Sequence, residues 1–384
     1  MEGFKTKPSR FWNAEYCKMC FVHFLVTMAV FIQFPLLSAW AADNGESRQA
    51  TFLCGALLCV GMFLPGPFSS YLVDAFRRTS VCYVALVGMA LAAFGLTVAE
   101  SLWQLAGLRL VEGACFGILE MALGGTLIND LSYSQRRTQT DYYYLWFGRF
   151  GLPLGMIAIW WMPQYFTIVD GWIVSALLPV VAVGLLMSIK VPFRAPNKVP
   201  VFSLDRFWQP QAWMLVLNLL PVAVIIGLLT DGAVAPQFMA CLATGLLAAY
   251  LTHRNFFESA DDRADAVAGL LLVTAAMVLL LLKDETRILY VAFFMLGTGI
   301  GWTMSRFLLY FLKLSNHCQR GTLQQTYVLT ASTGICIGYF VSCIEVDRAV
   351  LSLVLSVVTM VFYLTVTHRW FKKQGGRDFK FREV

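Results

Sequence analysis

Arg109, Glu112 and Glu120 stand inside one apolar run of the chain, Arg149 inside the next, and Arg306 inside a later one that also carries Trp302. Read as a helix at 100° per residue, the first run puts Arg109 and Glu120 about 20° apart, with Glu112 within about 80° of either. All three then share a face. An ionised group at the centre of a membrane helix costs at least ~2.5 kcal/mol, so that face is expected to meet a partner or a wet cavity. There, a carboxylate exchanges protons and an arginine holds an anion. The plainer use of the same residues is to staple helices together. Glu120 and Arg149 each lie about eight residues from the same end of adjacent antiparallel runs, hence about 12 Å deep. They are expected to form a structural pair, leaving Glu112 to exchange protons. Trp302 and Arg306, four apart, share a face, and a tryptophan beside a cation suits an anionic or aromatic solute.

The elements that position these residues follow from composition. Of 384 residues, 58% are hydrophobic and only 14% charged. That is too little charge for the surface of a soluble protein of this length, where about 25% is usual, and it points to an all-α integral membrane protein. A span needs about 20 apolar residues. With that ruler, spans fall near 19–41, 51–73, 80–99, 102–128, 141–163 and 168–189, then near 212–230, 234–252, 266–282, 287–312, 322–344 and 349–367. The stretch 190–211 between the two sets is polar, with Lys190, Arg194, Lys198 and Arg206 among Pro192, Pro196, Pro200 and Pro210.

Most of the 29 Lys and Arg fall in alternate loops, and the opposite loops hold only Arg48, Lys283, Arg287 and Arg348. Positive charge stays on the cytoplasmic side, so both termini are expected there. Trp12, Trp40, Trp103, Trp172, Trp208, Trp213 and Trp370 sit near span ends, as interfacial anchors do. Residues 1–18 are polar and basic, and the apolar run after them is too long for a cleaved signal, so the first span is expected to stay. The net charge of +6 is spread over short loops. It matches anionic lipid headgroups rather than nucleic acid.

Six spans, a basic proline-rich linker and six more resemble the major facilitator superfamily of transporters over essentially the whole chain. Ser70 to Val81 resembles that family's cytoplasmic signature, GxLaDrxGrrxxv. Leu72, Asp74, Arg78 and Val81 match, whereas Ser70 and Arg77 replace its glycines. The resemblance implies that Asp74, Arg77 and Arg78 belong to a charge network joining the two halves at the cytoplasmic face. Asp74 is expected at the end of its helix, beside the positive N-terminus of a neighbour. A solvated basic turn is the alternative. Arg109 to Gly117 resembles the RxxqGxgxa pattern of proton-linked members, with Glu112 at the glutamine. Gly148 to Gly155 partly matches the gxxxGPxxGG pattern of antiporters, with Leu152 inserted before Pro153. Small residues for close packing with a proline kink explain that stretch equally well. By the same resemblance the fourth and tenth helices line a cavity, and Arg306 matches the depth of Glu120.

Other chemistries find little support. His23, His253, His317 and His368 all fall near expected cytoplasmic ends without metal-ligand spacing. Cys17 and Cys20 form a lone CxxC, and most of the other cysteines lie in apolar runs, where they pack as small apolar residues. No phosphate-binding GxxxxGK[ST] occurs. The expectation is a non-enzymatic, cofactor-free and metal-free monomer in a lipid bilayer, with residues 1–189 and 212–384 as six-helix bundles and 190–211 as linker. It is expected to move a small organic molecule by alternating access, with protons as partners, as an exporter. Uptake of an organic anion through Arg109, Arg149 and Arg306 is the alternative, and a receptor or intramembrane enzyme a lesser one. Compact loops favour a bacterial inner membrane.

Overall fold

The computed structural model describes residues 12–131, 136–161, 167–191, 199–204, 206–255, 262–282, 285–315, 319–344 and 346–374. Pro192, Arg194, Pro196 and Lys198 of the expected linker lie outside the described residues, as do His317, Lys283 and the tail beyond 374. The rest is helical almost throughout, with no strand among the described residues. The helices are α1 (Ala14–Asp43), α2 (Arg48–Ala75), α3 (Arg78–Val98), α4 (Leu102–Leu131), α5 (Arg137–Trp161) and α6 (Ile168–Met187). They continue as α7 (Pro210–Gly227), α8 (Pro236–Asn255), α9 (Asp262–Leu281), α10 (Thr286–Lys313), α11 (Arg320–Val341) and α12 (Arg348–Lys373).

Each helix falls on one apolar run. The start of α1 moves from the expected 19 to Ala14 because Asn13 caps it, its Oδ1 accepting from Tyr16 N at 2.7 Å. The start of α6 is set by a capping box between Thr167 and Asp170. At the α1–α2 turn Gly45 adopts φ +64°, a conformation that costs a side chain about 1–2 kcal/mol. Among the described residues, nine helices are long and apolar enough to cross a membrane. Those left out are α5, α8 and α11. Asp141 and Arg149 make α5 more polar, and Gln324, Gln325 and Thr326 do the same for α11.

In the first half α1 packs on α5 and α6, α2 on α4, and α3 on α4 and α6. In the second, α7 packs on α11 and α12, α8 on α10, and α9 on α10 and α12. Each of these pairings recurs six helices later, a half-length structural repeat. The halves meet along α2–α11 and α5–α8, which exchange with each other under the same relation. Glycines set the closest approaches. A Cβ on Gly113 would stand 2.1 Å from the Leu58 carbonyl of α2, and one on Gly297 2.2 Å from the Leu242 carbonyl of α8. The glycines of α10 therefore serve packing. At the periphery, α6 and α12 turn Val169, Leu177, Val181, Val350, Val354 and Val358 outward. Apolar surface on that scale is stable against lipid, not water.

Candidate functional site

Between the halves lies a cavity with about 810 Å³ of empty space, walled by α1, α4 and α5 on one side and α7, α8, α10 and α11 on the other. Its wall is largely apolar, with Phe31, Phe116, Leu145, Leu242, Ile300 and Ile335 contributing. The ionisable groups on it are His23, Glu120, Arg149 and Tyr327. His23 Nδ1 and Glu120 Oε1 share a hydrogen bond of 2.8 Å, both side chains almost fully buried. The imidazole stacks on Tyr144 with centroids 4.1 Å apart. Its other edge lies over Gly148, where a Cβ would come within 1.9 Å of Nε2. Glycine at 148 is thus what admits the histidine. Glu120 Oε2 accepts no hydrogen bond among the described residues. Carboxyl and imidazole can each hold the shared proton, so the pair can change its protonation without losing its hydrogen bond.

Arg149 does not pair with Glu120, contrary to the expectation from depth. Similar depth does not fix azimuth, and the guanidinium turns across the cavity to the other half. Its Nη1 donates to Ser305 Oγ of α10 at 2.5 Å and its Nη2 to Tyr327 Oη of α11 at 3.0 Å. The guanidinium carbon lies 4.9 Å from the Trp146 ring centroid. Arg149 has no carboxylate within ion-pair reach among the described residues.

Glu112 and Arg109 are elsewhere, in a sealed seam among α1, α4 and α6. Arg109 Nη1 donates to Glu112 Oε2 at 2.8 Å and also to Gln33 Oε1. Gln33 Nε2 donates to Glu112 Oε1 at 2.5 Å and to Ser175 Oγ at 2.8 Å. The Ser175 hydroxyl in turn donates to the Ala29 carbonyl at 2.9 Å. Arg109 is 0% exposed and Glu112 1%. Neither lines the cavity. On α10, Arg306 forms a buried ion pair with Asp265 of α9, and Trp302 Nε1 donates to Thr252 of α8 at 3.0 Å. The structure does not bring Trp302 or Arg306 to the cavity. The helix face they share looks into its own half.

The human organic anion transporter MFSD10 (TETRAN) has a similar structure, with a TM-score of 0.68 over 92% of this chain and 99% of that one, at 13% identity. The chain has the major facilitator fold. No family model matches the sequence, and no curated protein matches it. At 13% identity the likeness extends to the fold and not to the solute.

Within the major facilitator fold the signature residues occupy the junction of α2 and α3. Asp74 Oδ2 accepts from Arg206 Nε at 2.8 Å and its Oδ1 lies 3.4 Å from Arg78 Nη2. Arg78 also pairs with Asp130 at the end of α4. Asp74 thus ties the segment joining the halves to Arg78, the first residue of α3. Arg77 is exposed beside it. The joining segment is strapped down: Ser203 N donates to the Pro67 carbonyl at 2.9 Å, and Gln209 N to Thr326 Oγ1 of α11 at 3.0 Å. At the same end, Arg320 of α11 reaches Asp141 of α5 at 2.7 Å.

At the opposite end Asp231, following α7, accepts from Arg48 of α2 at 3.0 Å and from Arg348 of α12 at 2.7 Å. Tyr339 of α11 stacks on Phe52 of α2 at 4.3 Å and donates to the Phe34 carbonyl at 3.0 Å. Sequence reasoning passed over His23, Asp231, Asp141 and Arg320. Asp231 stood at a loop, where a carboxylate is unremarked, and His23 is 97 positions from its partner. The detectable signal was the small Gly148 one helix away.

Proposed function

We propose that the chain is a secondary transporter that moves a small organic solute by alternating access and couples the movement to protons, working as an exporter. The observation that carries this reading is the cavity between the halves, with the His23–Glu120 pair on its wall and ion pairs across the halves at both ends. Breaking the Asp141–Arg320 and Asp74–Arg206 contacts opens one side, and breaking the Asp231 contacts opens the other. Glu120, with His23, is the proton carrier of this scheme. Glu112, its charge satisfied by Arg109 and Gln33, holds the first half together.

In this proposal α5, α8 and α11 also cross the membrane, giving twelve spans with both termini cytoplasmic. Their six-apart counterparts α11, α2 and α5 pack in equivalent places, and helices that line an interior need less apolar surface. Residues 1–189 and 212–384 form the two bundles and 190–211 their linker. The protein is a monomer in a bacterial inner membrane, a setting supported by the short loops. Solute and protons are its partners, with no nucleic acid and no cofactor, and it is no enzyme. A second reading, uptake of an organic anion, is favoured by Arg149 and by the substrate class in the name of the similar human transporter. Flux into proteoliposomes, with and without an imposed pH gradient of either sign, tests both. Flux indifferent to the gradient overturns proton coupling, and no flux of any solute overturns transport.

A further inference from the structure

The structure assigns a binding mode and a solute class to this cavity. We propose that it takes a single-headed lipophilic anion, whose head replaces Ser305 and Tyr327 on Arg149 while its apolar body fills the rest. This deepens the transporter reading above and rests on it for physiological meaning, though not for its test.

The charge inventory of the wall carries the class. Glu120 has a counter-group within the protein, His23 at 2.8 Å. Among the described residues Arg149 has only neutral partners, the Ser305 and Tyr327 hydroxyls, and its Nε has no hydrogen-bond partner. Hydrogen bonds between neutral groups and a cation are weaker than those a carboxylate or sulfonate forms with a guanidinium in bidentate fashion. With the His23–Glu120 pair neutral overall, the uncompensated charge facing the cavity is positive, and an anionic head gains by exchanging for the hydroxyls. The remaining wall sets the body. Beyond the His23–Glu120 pair and the Thr27 and Ser332 hydroxyls, the wall is apolar, with Phe31, Phe116, Leu145, Leu242, Ile300 and Ile335, so a dianion or a sugar would leave polar groups unmatched. Trp146, under the guanidinium, keeps its plane fixed.

The exchange has a consequence for movement. Arg149 belongs to α5, whereas Ser305 and Tyr327 belong to α10 and α11. The site is thus closed upon itself by bonds between the halves, and an arriving anion takes those bonds over. Tyr327 retains a second bond, donating to the Met304 carbonyl at 3.2 Å, so its release leaves no orphaned hydroxyl.

The test is equilibrium binding of radiolabelled 4-phenylbutyrate to purified full-length protein in detergent. 4-Phenylbutylamine, 4-phenylbutanol and succinate serve as unlabelled competitors. The expected result is saturable binding that none of the three displaces at equal concentration. Arg149→Gln should weaken it on the order of ten- to a hundredfold, the worth of a charge-assisted hydrogen bond or two. Ser305→Ala and Tyr327→Phe are expected to bind as tightly as the wild type or tighter, because they remove internal competitors. Three results overturn the proposal: displacement by the amine, unchanged affinity in Arg149→Gln, or weakening in Ser305→Ala and Tyr327→Phe as large as in Arg149→Gln. Should Arg149→Gln not fold, the hydroxyl variants and the competitors decide. Anion binding without flux in proteoliposomes sinks the transporter reading alone, and flux of another solute without anion binding sinks this one alone.

Discussion

Two acid–base constellations share α4, and they are built on opposite plans. Glu112 faces a dry seam where both carboxylate oxygens accept hydrogen bonds and an arginine neutralises its charge. Two turns on, Glu120 faces a cavity with one oxygen on a histidine and the other without a donor among the described residues. The helix and residue type are the same. What differs is the neighbour: α1 and α6 close over the first, and a space between the halves opens onto the second. In the proposed scheme an ionisable residue in such a helix is a strut or a proton site according to whether its environment completes its bonding.

The sharpest way to break this contrast is Glu112→Gln. It leaves Arg109 buried without a counter-charge, and the loss of stability should be about 3–5 kcal/mol, read as a fall in thermal or denaturant midpoint in detergent. Changing Arg109 and Glu112 together to Gln should recover most of it, a coupling visible in a double-mutant cycle. A Glu112→Gln protein of wild-type stability would remove the strut from the comparison. Glu120→Gln should do the reverse. It should fold with little loss, since His23 keeps a hydrogen-bond partner, while proton-driven flux falls on the order of a hundredfold, comparable to the loss of a positioned acid–base group. Full pH-driven flux in this variant moves the proton site elsewhere.

Smaller effects belong to the ends of the molecule. Asp231→Asn removes the carboxylate shared by Arg48 and Arg348, so a thiol reagent added from outside should reach a cysteine placed at Leu37 several times faster. Equal rates would show that this end is held by Tyr339 and Phe52 instead. Asp74→Asn should reduce turnover at normal expression by favouring the state open to the other side. Arg206→Ala, touching a half-exposed pair, should cost no more than about 1 kcal/mol of stability. Its mark should be a modest rise in accessibility near Gln209.

Much of this architecture was legible in the sequence because lipid imposes strict lengths and a strict charge bias. The apolar runs placed every helix, and the spacing of Arg109, Glu112 and Glu120 flagged the polar face of α4. Local spacing could not reveal which way each residue turns. Glu120 and Arg149 share a depth yet diverge in azimuth, and Trp302 and Arg306 lie on a face that looks into their own half. Those outcomes depend on crossings set by glycines such as Gly113 and Gly297, whose contacts lie on other helices. His23 escaped notice for the same reason: its partner is distant in sequence, and the gap that admits it is the absence of a side chain at Gly148.

The recurrence of the main helix pairings six places later bears on how the chain is made. No helix of α1–α6 depends on α7–α12 for its packing within the first half, so that half can assemble in the bilayer while the ribosome is still delivering the second. The bonds between the halves, Asp141–Arg320 and Arg48–Asp231, then form last. Contacts that form last on a finished scaffold are also the ones that can open and close again without unravelling it. Synthesis and transport would therefore use the same boundary, and two polypeptides divided within 190–211 should find each other in the membrane and reconstitute a working protein.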